Sequence, residues 1–303
     1  MNNLFDYFYT SYKKYPNKHY IFYNKYWTYS EVYHYVKLMI AKLTKEGVKV
    51  DDKIVLYMEN SIEYIVSYFA ILYMGATVVT ITTSSTLENI SDIVDDCKPS
   101  ILLTSNILAS RIEKSDIAKK TSTIVINVNG LSKLDYSGLD IQYSTGSLAM
   151  IIYTSGTTSK SKGVMLSHEN LIANTESILG YLTLNSSDTV LVTLPFSYSY
   201  GNSLLLTHTM VGGLLYLSKG GTFPQVVLST LEKEDITGFS TIGSYLKILL
   251  KQNNFTSDSF RKLNYITLAG EQTSKFDLVK LQSVNKDLKI YVMYGQTEAS
   301  ARL

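Results

Sequence analysis

Six hydroxyl side chains, two glycines and two lysines occur within ten residues, from Thr154 to Gly163. They directly follow an apolar segment, 149–153, that has the composition of a buried strand. Small residues let backbone N–H groups approach an anion closely, hydroxyls add hydrogen-bond donors, and lysine adds compact positive charge. The segment therefore predicts a phosphate-binding loop, although its composition alone is also typical of a polar surface loop.

The loop differs from the usual nucleotide P-loop. That motif requires the pattern G-x-x-x-x-G-K-[ST], and counting from Gly156 places Ser161 where its second glycine should stand. A phosphate site here must therefore be built in another way.

Short apolar segments alternate with amphipathic ones along the chain. Thr28-x-x-Glu31 predicts a capping box that opens a helix, and a second helix is expected to start at Asn60. This alternation predicts an α/β fold with a mostly parallel sheet covered on both faces. The predicted strands are 54–58, 76–81, 101–104, 124–128, 149–153, 189–194, 214–218, 236–241, 265–268 and 288–294.

Composition excludes several classes of protein. The 303 residues are 45% hydrophobic and 18% charged, which argues against disorder, and the net charge of +2 does not indicate a nucleic-acid or membrane surface. Cys97 is the only cysteine, so no internal disulfide forms, in agreement with a reducing compartment. The N-terminus lacks signal-peptide character. The uncharged segment 64–87 could span a membrane by length, but its Gly75 and its Ser/Thr-rich second half favour a helix, a turn and a buried strand.

Segment 153–163, YTSGTTSKSKG, closely resembles the signature loop of the acyl-adenylate-forming enzymes, whose usual pattern is YTSGTTGxPKG. This family includes acyl-CoA synthetases, adenylation domains of peptide synthetases, and luciferases. Ser159 and Ser161 replace the usual Gly and Pro, whereas Lys162 is retained. Similar segments are TYSEV at 28–32, the run 51–79, LPFSYSYG at 194–201, LAGE at 268–271 and YGQTE at 294–298. Tyr198 stands where the family usually has His.

The resemblance implies the large N-terminal domain of an adenylate-forming enzyme, with two stacked, mostly parallel sheets flanked by helices. We expect approximate subdomains at 49–185, which holds the signature loop 153–163, and at 186–303. The family pattern continues beyond YGQTE into a hinge and a small C-terminal catalytic domain. We therefore expect residues 1–303 to be a fragment that does not complete the reaction alone.

The resemblance also implies a ligase reaction with two steps. A carboxylic acid is activated by ATP as an acyl-adenylate, and the acyl group then passes to a thiol. The implied catalytic residues are Lys162, Thr297 and Glu298, with Glu298 as the Mg²⁺ ligand. The implied nucleotide-binding residues are Thr154, Ser155, Gly156, Thr157, Thr158, Ala269, Gly270, Glu271, Tyr294, Gly295 and Gln296, and the implied acyl-binding residues are Tyr198 and Gly201.

Each of these residues has a simpler interpretation when it is taken alone. Lys162 and Glu298 would then be solvated surface charges, and Tyr198 would be a core or rim aromatic. A functional role for Glu298 is favoured because it follows a predicted strand, and ligands of open α/β sheets bind at the carboxyl ends of strands. His208 is expected to be a hydrogen-bonded core histidine, and His168 to serve the start of a helix.

The leading hypothesis is a cytoplasmic acyl-CoA synthetase that uses ATP, Mg²⁺ and coenzyme A in fatty acid metabolism, without nucleic-acid partners or stable membrane insertion. Segment 195–206, PFSYSYGNSLLL, contains no carboxylate to pair with an amino-acid ammonium, which favours a fatty or aromatic acid. One alternative is an amino-acid adenylation domain that delivers to the phosphopantetheine of a carrier protein. Another is a non-catalytic nucleotide-binding remnant. An interaction protein without a ligand is disfavoured, because the signature directly follows a buried strand.

Overall fold

The computed structural model describes residues 3–136, 143–154, 161–218, 220, 223–252 and 255–300. These residues form two compact units. The first comprises the described residues up to Asn17 together with Thr28–Ala173, and the second comprises Lys18–Trp27 and the described residues from Asn174 onward. The second unit thus takes in residues 18–27 and 174–185, which the sequence had not assigned to it.

The described residues form strands and helices in alternation. The strands are β1 (His19–Tyr23), β2 (Lys25–Thr28), β3 (Lys53–Tyr57), β4 (Thr77–Thr80), β5 (Ile101–Thr104), β6 (Ser122–Val125), β7 (Met150–Thr154), β8 (Lys162–Leu166), β9 (Thr189–Val192), β10 (Leu214–Leu217), β11 (Gly238–Thr241), β12 (Tyr265–Leu268) and β13 (Lys289–Val292). The helices are α1 (Leu4–Lys14), α2 (Tyr29–Lys45), α3 (Ile62–Tyr73), α4 (Leu87–Cys97), α5 (Asn106–Glu113), α6 (Ile117–Lys120), α7 (Val128–Leu131), α8 (His168–Leu182), α9 (Ser199–Val211), α10 (Pro224–Lys233), α11 (Gly243–Leu250) and α12 (Lys275–Val284). Two 3₁₀ turns cover Ser257–Phe260 and Thr297–Ala299.

The sheet of the first unit has the strand order β6-β5-β3-β4-β7-β8. Its first five strands are parallel, and β8 runs antiparallel to β7. Every residue of β4 and β5 is buried, as expected for parallel strands with both faces covered. The apolar face of α4 joins this core through Ile90, Val94 and Cys97.

The sheet of the second unit has the order β13-β12-β11-β9-β10-β1-β2. Strands β13, β12, β11, β9, β10 and β1 pair in parallel. Its core includes Leu191, Phe239 and Ile266 from the strands and Leu246 and Leu281 from α11 and α12. The predicted fold class is therefore confirmed: an α/β fold with two mostly parallel sheets flanked by helices.

Several local predictions are confirmed residue for residue. Predicted strands 101–104 and 265–268 are β5 and β12. Thr28 caps α2 by accepting the backbone N–H of Glu31, and the carboxylate of Glu31 accepts the backbone N–H of Thr28 at 2.7 Å. Segment 64–87 folds into most of α3, a turn at Gly75 with φ +69° and strand β4. In the described residues, no helix has the length and apolar character that a membrane span requires.

Most other predicted strand boundaries differ from the observed ones by one to three residues, and two boundaries have a clear local cause. Helix α3 begins after Ser61 rather than Asn60, because the Ser61 hydroxyl accepts the N–H of Tyr64 at 3.2 Å. The strand predicted at 124–128 stops at Val125. The Asn127 side chain accepts the N–H of Asn129 at 2.8 Å and so caps α7. In both places a side-chain cap set the boundary.

Candidate functional site

The predicted site residues are distributed over both units. In the first unit the structure describes Thr154 and Lys162, whereas predicted residues Ser155, Gly156, Thr157 and Thr158 lie outside the described residues. Thr154 ends β7 and Lys162 begins β8, and the two are direct partners in the antiparallel register. The sequence predicted the strand before the loop but not the paired strand after it. The two ends of the signature segment therefore stand side by side.

The next pair in this hairpin joins Tyr153 to Gly163. A β-carbon added at Gly163 would lie 3.0 Å from Cζ of Tyr153 and 3.0 Å from Cγ2 of Ile151, so the Tyr153 ring closely covers the glycine. The Tyr153 hydroxyl donates to Oδ2 of Asp96 at 2.5 Å. Burial is the main cause that raises the pKa of Tyr153, and the hydrogen bond to Asp96 raises it further. The hydroxyl therefore stays protonated. Lys162 itself is exposed, so its ammonium is accessible from solvent.

In the second unit the predicted residues follow the carboxyl ends of parallel strands. Segment 194–201 follows β9, 269–271 follows β12 and 294–298 follows β13. Since these strands belong to one sheet and run in one direction, their carboxyl ends share one edge. The N–H of Met293 donates to the carbonyl of Leu268 at 2.8 Å, which continues the pairing past β13.

Residues 269–271 form a tight connection after β12. Ala269 is buried, and Gly270 has φ +89°, a conformation that glycine adopts without strain. The exposed Glu271 carboxylate accepts the backbone N–H of Ser244 in the first turn of α11. Hydrogen bonds from the Ser244 side chain and backbone lower the pKa of Glu271, so it carries its charge at neutral pH. The carboxylate is thus engaged at a helix N-terminus.

Segment 294–298 combines exposed and half-buried side chains. Tyr294 is 69% exposed, and Gln296 and Glu298 are also exposed. Gly295 and Thr297 are half-buried, and Thr297 starts the second 3₁₀ turn. The Glu298 carboxylate therefore faces solvent next to the edge formed by the strand ends.

The exposed Glu298 carboxylate is suited to a magnesium ion that arrives bound to a nucleotide. Among the described residues no group of three or more His, Cys, Asp or Glu side chains is placed to hold a metal. Magnesium commonly binds through one or two carboxylates together with substrate phosphates. One exposed carboxylate such as Glu298 meets that requirement.

Tyr198 and Gly201 lie at the start of α9. Tyr198 precedes the helix and is 47% exposed, so its role as an acyl-pocket wall stays a prediction. A β-carbon at Gly201 would overlap the backbone carbonyl of Pro195. Gly201 is therefore required by the close passage of segment 194–198 over the first turn of the helix.

Sequence reasoning missed a buried hydroxyl network beside this edge. The Tyr200 hydroxyl contacts Oγ1 of Thr267 at 2.7 Å and donates to its carbonyl at 2.9 Å. The Ser240 hydroxyl contacts the same Oγ1 at 2.7 Å. Ser240 and Thr267 are fully buried near the ends of β11 and β12. The available sequence signal for this network was the polar residues in the apolar strands β11 (GFST) and β12 (YITL).

The two buried histidines serve the fold. The ring of His208 contacts the Leu204 carbonyl through Nδ1 at 3.1 Å and the Tyr265 hydroxyl through Nε2 at 3.1 Å, which confirms it as a hydrogen-bonded core histidine. His168 does begin α8, but its Nδ1 accepts the N–H of Leu4 at 3.2 Å. Ser167 caps the helix start, as the sequence predicts, because its hydroxyl accepts the N–H of Asn170 at 3.1 Å.

Comparison with known proteins gives a consistent result. The sequence profile described as AMP-binding enzyme matches residues 8–302. Zwittermicin A synthase ZmaJ of Bacillus cereus is 26% identical over 275 residues, which cover 86% of this chain and 50% of that protein. The chain thus spans about half the length of this curated relative and a smaller part of other relatives.

Solved structures share the fold. o-Succinylbenzoate CoA synthetase (MenE) of Bacillus subtilis has a TM-score of 0.86 at 22% identity, over 100% of this chain and 60% of that one. VinN in complex with L-aspartate has a TM-score of 0.86 at 20% identity, over 99% of this chain and 78% of that one. At such identities the likeness establishes the fold alone.

Proposed function

Because the chain belongs to the AMP-binding enzyme family, we propose that it binds ATP and uses it to activate a carboxylic acid. A carboxylate oxygen forms a bond to the α-phosphorus, the bond from that phosphorus to the bridging oxygen breaks, and pyrophosphate leaves. The product is an acyl-adenylate. The observation that carries the proposal is the register that places Thr154 opposite Lys162 at the two ends of the signature segment.

Charge stabilisation and positioning are the main requirements of such a step. We assign Thr154, with Ser155, Gly156, Thr157 and Thr158, to the β- and γ-phosphates, and Lys162 to their charge. Thr297 donates to the α-phosphate, and Glu298 ligates the magnesium ion, which neutralises phosphate charge when bound. Residues 269–271 and 294–296 enclose the adenine and the reacting carboxylate.

We further propose that the acyl group passes to coenzyme A, in fatty acid metabolism of the cytoplasm. The thiolate attacks the acyl carbon, the acyl–phosphate bond breaks, and AMP leaves. A fatty or aromatic acid is supported by segment 195–206, which offers aromatic and apolar side chains and no carboxylate. The fold shared with a CoA synthetase agrees with this acceptor.

The alternative is activation of an amino acid for the phosphopantetheine of a carrier protein. It is favoured by the relative ZmaJ, named as a synthase of zwittermicin A, and by the fold shared with VinN, whose complex holds L-aspartate. A nucleotide-binding remnant is the third possibility, supported by Ser159 and Ser161 in the signature segment.

Calorimetric titration with ATP and Mg²⁺ tests the first proposal. We expect saturable binding by the wild-type chain, and Lys162→Ala should weaken it about tenfold through loss of one charged contact. Lys119→Ala removes an exposed lysine that pairs with Asp116 and should leave ATP affinity unchanged. Absence of binding by the wild type, or equal effects of both variants, would contradict the assignment.

Pyrophosphate exchange then identifies the acid, and it is measured on the full-length parent protein, because residues 1–303 are not expected to complete the reaction alone. We expect octanoate or benzoate to stimulate exchange more than L-aspartate or L-phenylalanine. Exchange with the amino acids alone would replace the leading proposal by the carrier-protein alternative. ATP binding without exchange for any acid would favour the nucleotide-binding remnant.

A further inference from the structure

The side chain of Tyr153 links the signature hairpin to a separate helix. Its ring covers Gly163 on β8, and it also packs against the hydrophobic core that includes Val55 and Val94. Its hydroxyl donates to Asp96, which lies in the last turn of α4. The ring and the hydroxyl are thus held by different elements, so this side chain has little rotational freedom.

Asp96 occupies an unfavourable place for a carboxylate. The C-terminal end of a helix carries partial negative charge, and α4 has no basic residue in its last turn. Asp95 stands in the same turn and pairs with Lys120, its Oδ2 lying 2.6 Å from Nζ. Asp96 instead accepts from a tyrosine one residue before Thr154. The two adjacent aspartates therefore have different partners and provide a matched pair for testing.

A third group completes the contact. The Cys97 thiol lies near the Tyr153 side chain, and burial raises the pKa of this thiol to about 11. The thiol is therefore neutral at physiological pH. Asp96 is the charged partner of the Tyr153 hydroxyl, and charged hydrogen bonds are the stronger ones.

We propose that Asp96 is a positioning residue for ATP, which acts through Tyr153 to hold Thr154 opposite Lys162. Tyr153 and Gly163 form the pair directly before Thr154 and Lys162 in the register. Loss of the Asp96 anchor frees the Tyr153 side chain to rotate and loosens its cover over Gly163. The backbone ladder persists, but its end at Thr154 and Lys162 then opens more often, so these two residues are held opposite each other less firmly. This inference rests on the proposed function.

The effect should be specific for the triphosphate. Thr154 and Lys162 are assigned to the β- and γ-phosphates, which AMP lacks. We expect Asp96→Ala and Tyr153→Phe each to raise the Kd for ATP about three- to tenfold, less than direct loss of a charged hydrogen bond to the ligand would, because the effect is indirect. The Kd for AMP should change less than about twofold. Asp96→Asn should restore most of the affinity, because its amide oxygen still accepts the hydrogen bond.

Asp95→Ala is the control, since it removes a carboxylate from the same helical turn but breaks only the pair with Lys120. It should leave both affinities unchanged. Equal loss of ATP and AMP binding in Asp96→Ala, or the same loss in Asp95→Ala, would reduce Asp96 to general support of the fold and overturn the proposal. Unchanged ATP affinity in Asp96→Ala would overturn it as well.

Hydrogen exchange separates this inference from the proposed function. Backbone amides of Thr154 and of 162–166 should exchange faster in Asp96→Ala than in Asp95→Ala, because the β7–β8 hairpin opens more readily. If the wild-type chain binds no ATP, the proposed function fails. Hydrogen exchange alone then decides whether Asp96 stabilises the β7–β8 hairpin. Identical exchange in the two variants would overturn that role.

Discussion

The two units position their predicted site residues in different ways. In the first unit, Thr154 and Lys162 face each other across an antiparallel ladder, so backbone hydrogen bonds set their separation. In the second unit, segments 194–201, 269–271 and 294–298 follow three different strands. Parallel strand direction brings them to one edge, and contacts between side chains and loops set the details. The hairpin is thus controlled locally, whereas the row of loops depends on distant contacts.

The difference predicts where single substitutions matter most. A backbone ladder tolerates the loss of one side chain, because its hydrogen bonds do not involve side chains. A row of loops relies on a few close approaches and buried hydroxyls, each of which involves residues far apart in sequence. We therefore expect substitutions in the site segments of the second unit to have larger effects than substitutions in the hairpin of the first unit.

The largest effect is expected for Gly201→Val. The new side chain would overlap the carbonyl of Pro195, so segment 194–198 must move, and stability should fall by about 3 kcal/mol or more. Gly180→Ala is the control, because Gly180 lies in α8 with open space around it, and alanine should stabilise the helix by about 0.5–1 kcal/mol. Urea unfolding at pH 7 measures both changes. Equal stability of the two variants would contradict the close approach.

The next effect concerns His168, which supports the first unit from outside the hairpin. Burial lowers its pKa to about 4, whereas the unfolded chain protonates a histidine near pH 6.5. As pH falls through this window, the unfolded state binds a proton that the native state does not, so stability is lost. Between pH 7 and pH 5 the loss from this group should be about 2 kcal/mol.

Urea unfolding at the two pH values, for wild type and for His168→Gln, isolates this contribution. The variant should lose less stability than the wild type over the same interval, whatever its stability at pH 7. Equal losses would mean that the native state protonates His168 as readily as the unfolded chain does.

A smaller effect is expected for Thr267→Val in the second unit. The substitution conserves shape but removes the hydroxyl that Tyr200 and Ser240 contact, so stability should fall by about 1–2 kcal/mol. A double-mutant cycle with Tyr200→Phe measures the coupling between the two hydroxyls. Strict additivity would show that the Tyr200 and Thr267 hydroxyls are not coupled.

The smallest effect is expected for Glu271→Gln. The Glu271 pKa is lowered by its hydrogen bonds with Ser244, so this carboxylate stabilises the native state above about pH 4 and loses that effect as pH falls further. Glutamine can still accept the N–H of Ser244, so stability at pH 7 should change little. As pH falls in the acid range, the free energy of unfolding should decrease less steeply in the variant than in the wild type. A side-chain NMR titration of Glu271 with an ordinary pKa would remove the basis for this expectation.

Much of the fold followed from sequence pattern. Apolar segments predicted the strands because strands buried on both faces must be apolar throughout, and β5 and β12 were predicted residue for residue. The missed strands are defined by their pairing rather than by their own sequence pattern. Strand β1 is held by β10, nearly two hundred residues further along the chain, and β8 is recognised only by its register with β7. Short segments of this kind carry no periodic signal of their own.

The sequence by itself determined the family, the alternation of strands and helices, and the identity of the signature segments, because these depend on residue types at short spacing. Only the tertiary structure decided that Lys162 pairs with Thr154, that the Glu271 carboxylate is held by Ser244, and that Asp96 rather than Asp95 reaches Tyr153. Those contacts join residues from different elements. Their formation depends on packing and strand order, which no local pattern encodes.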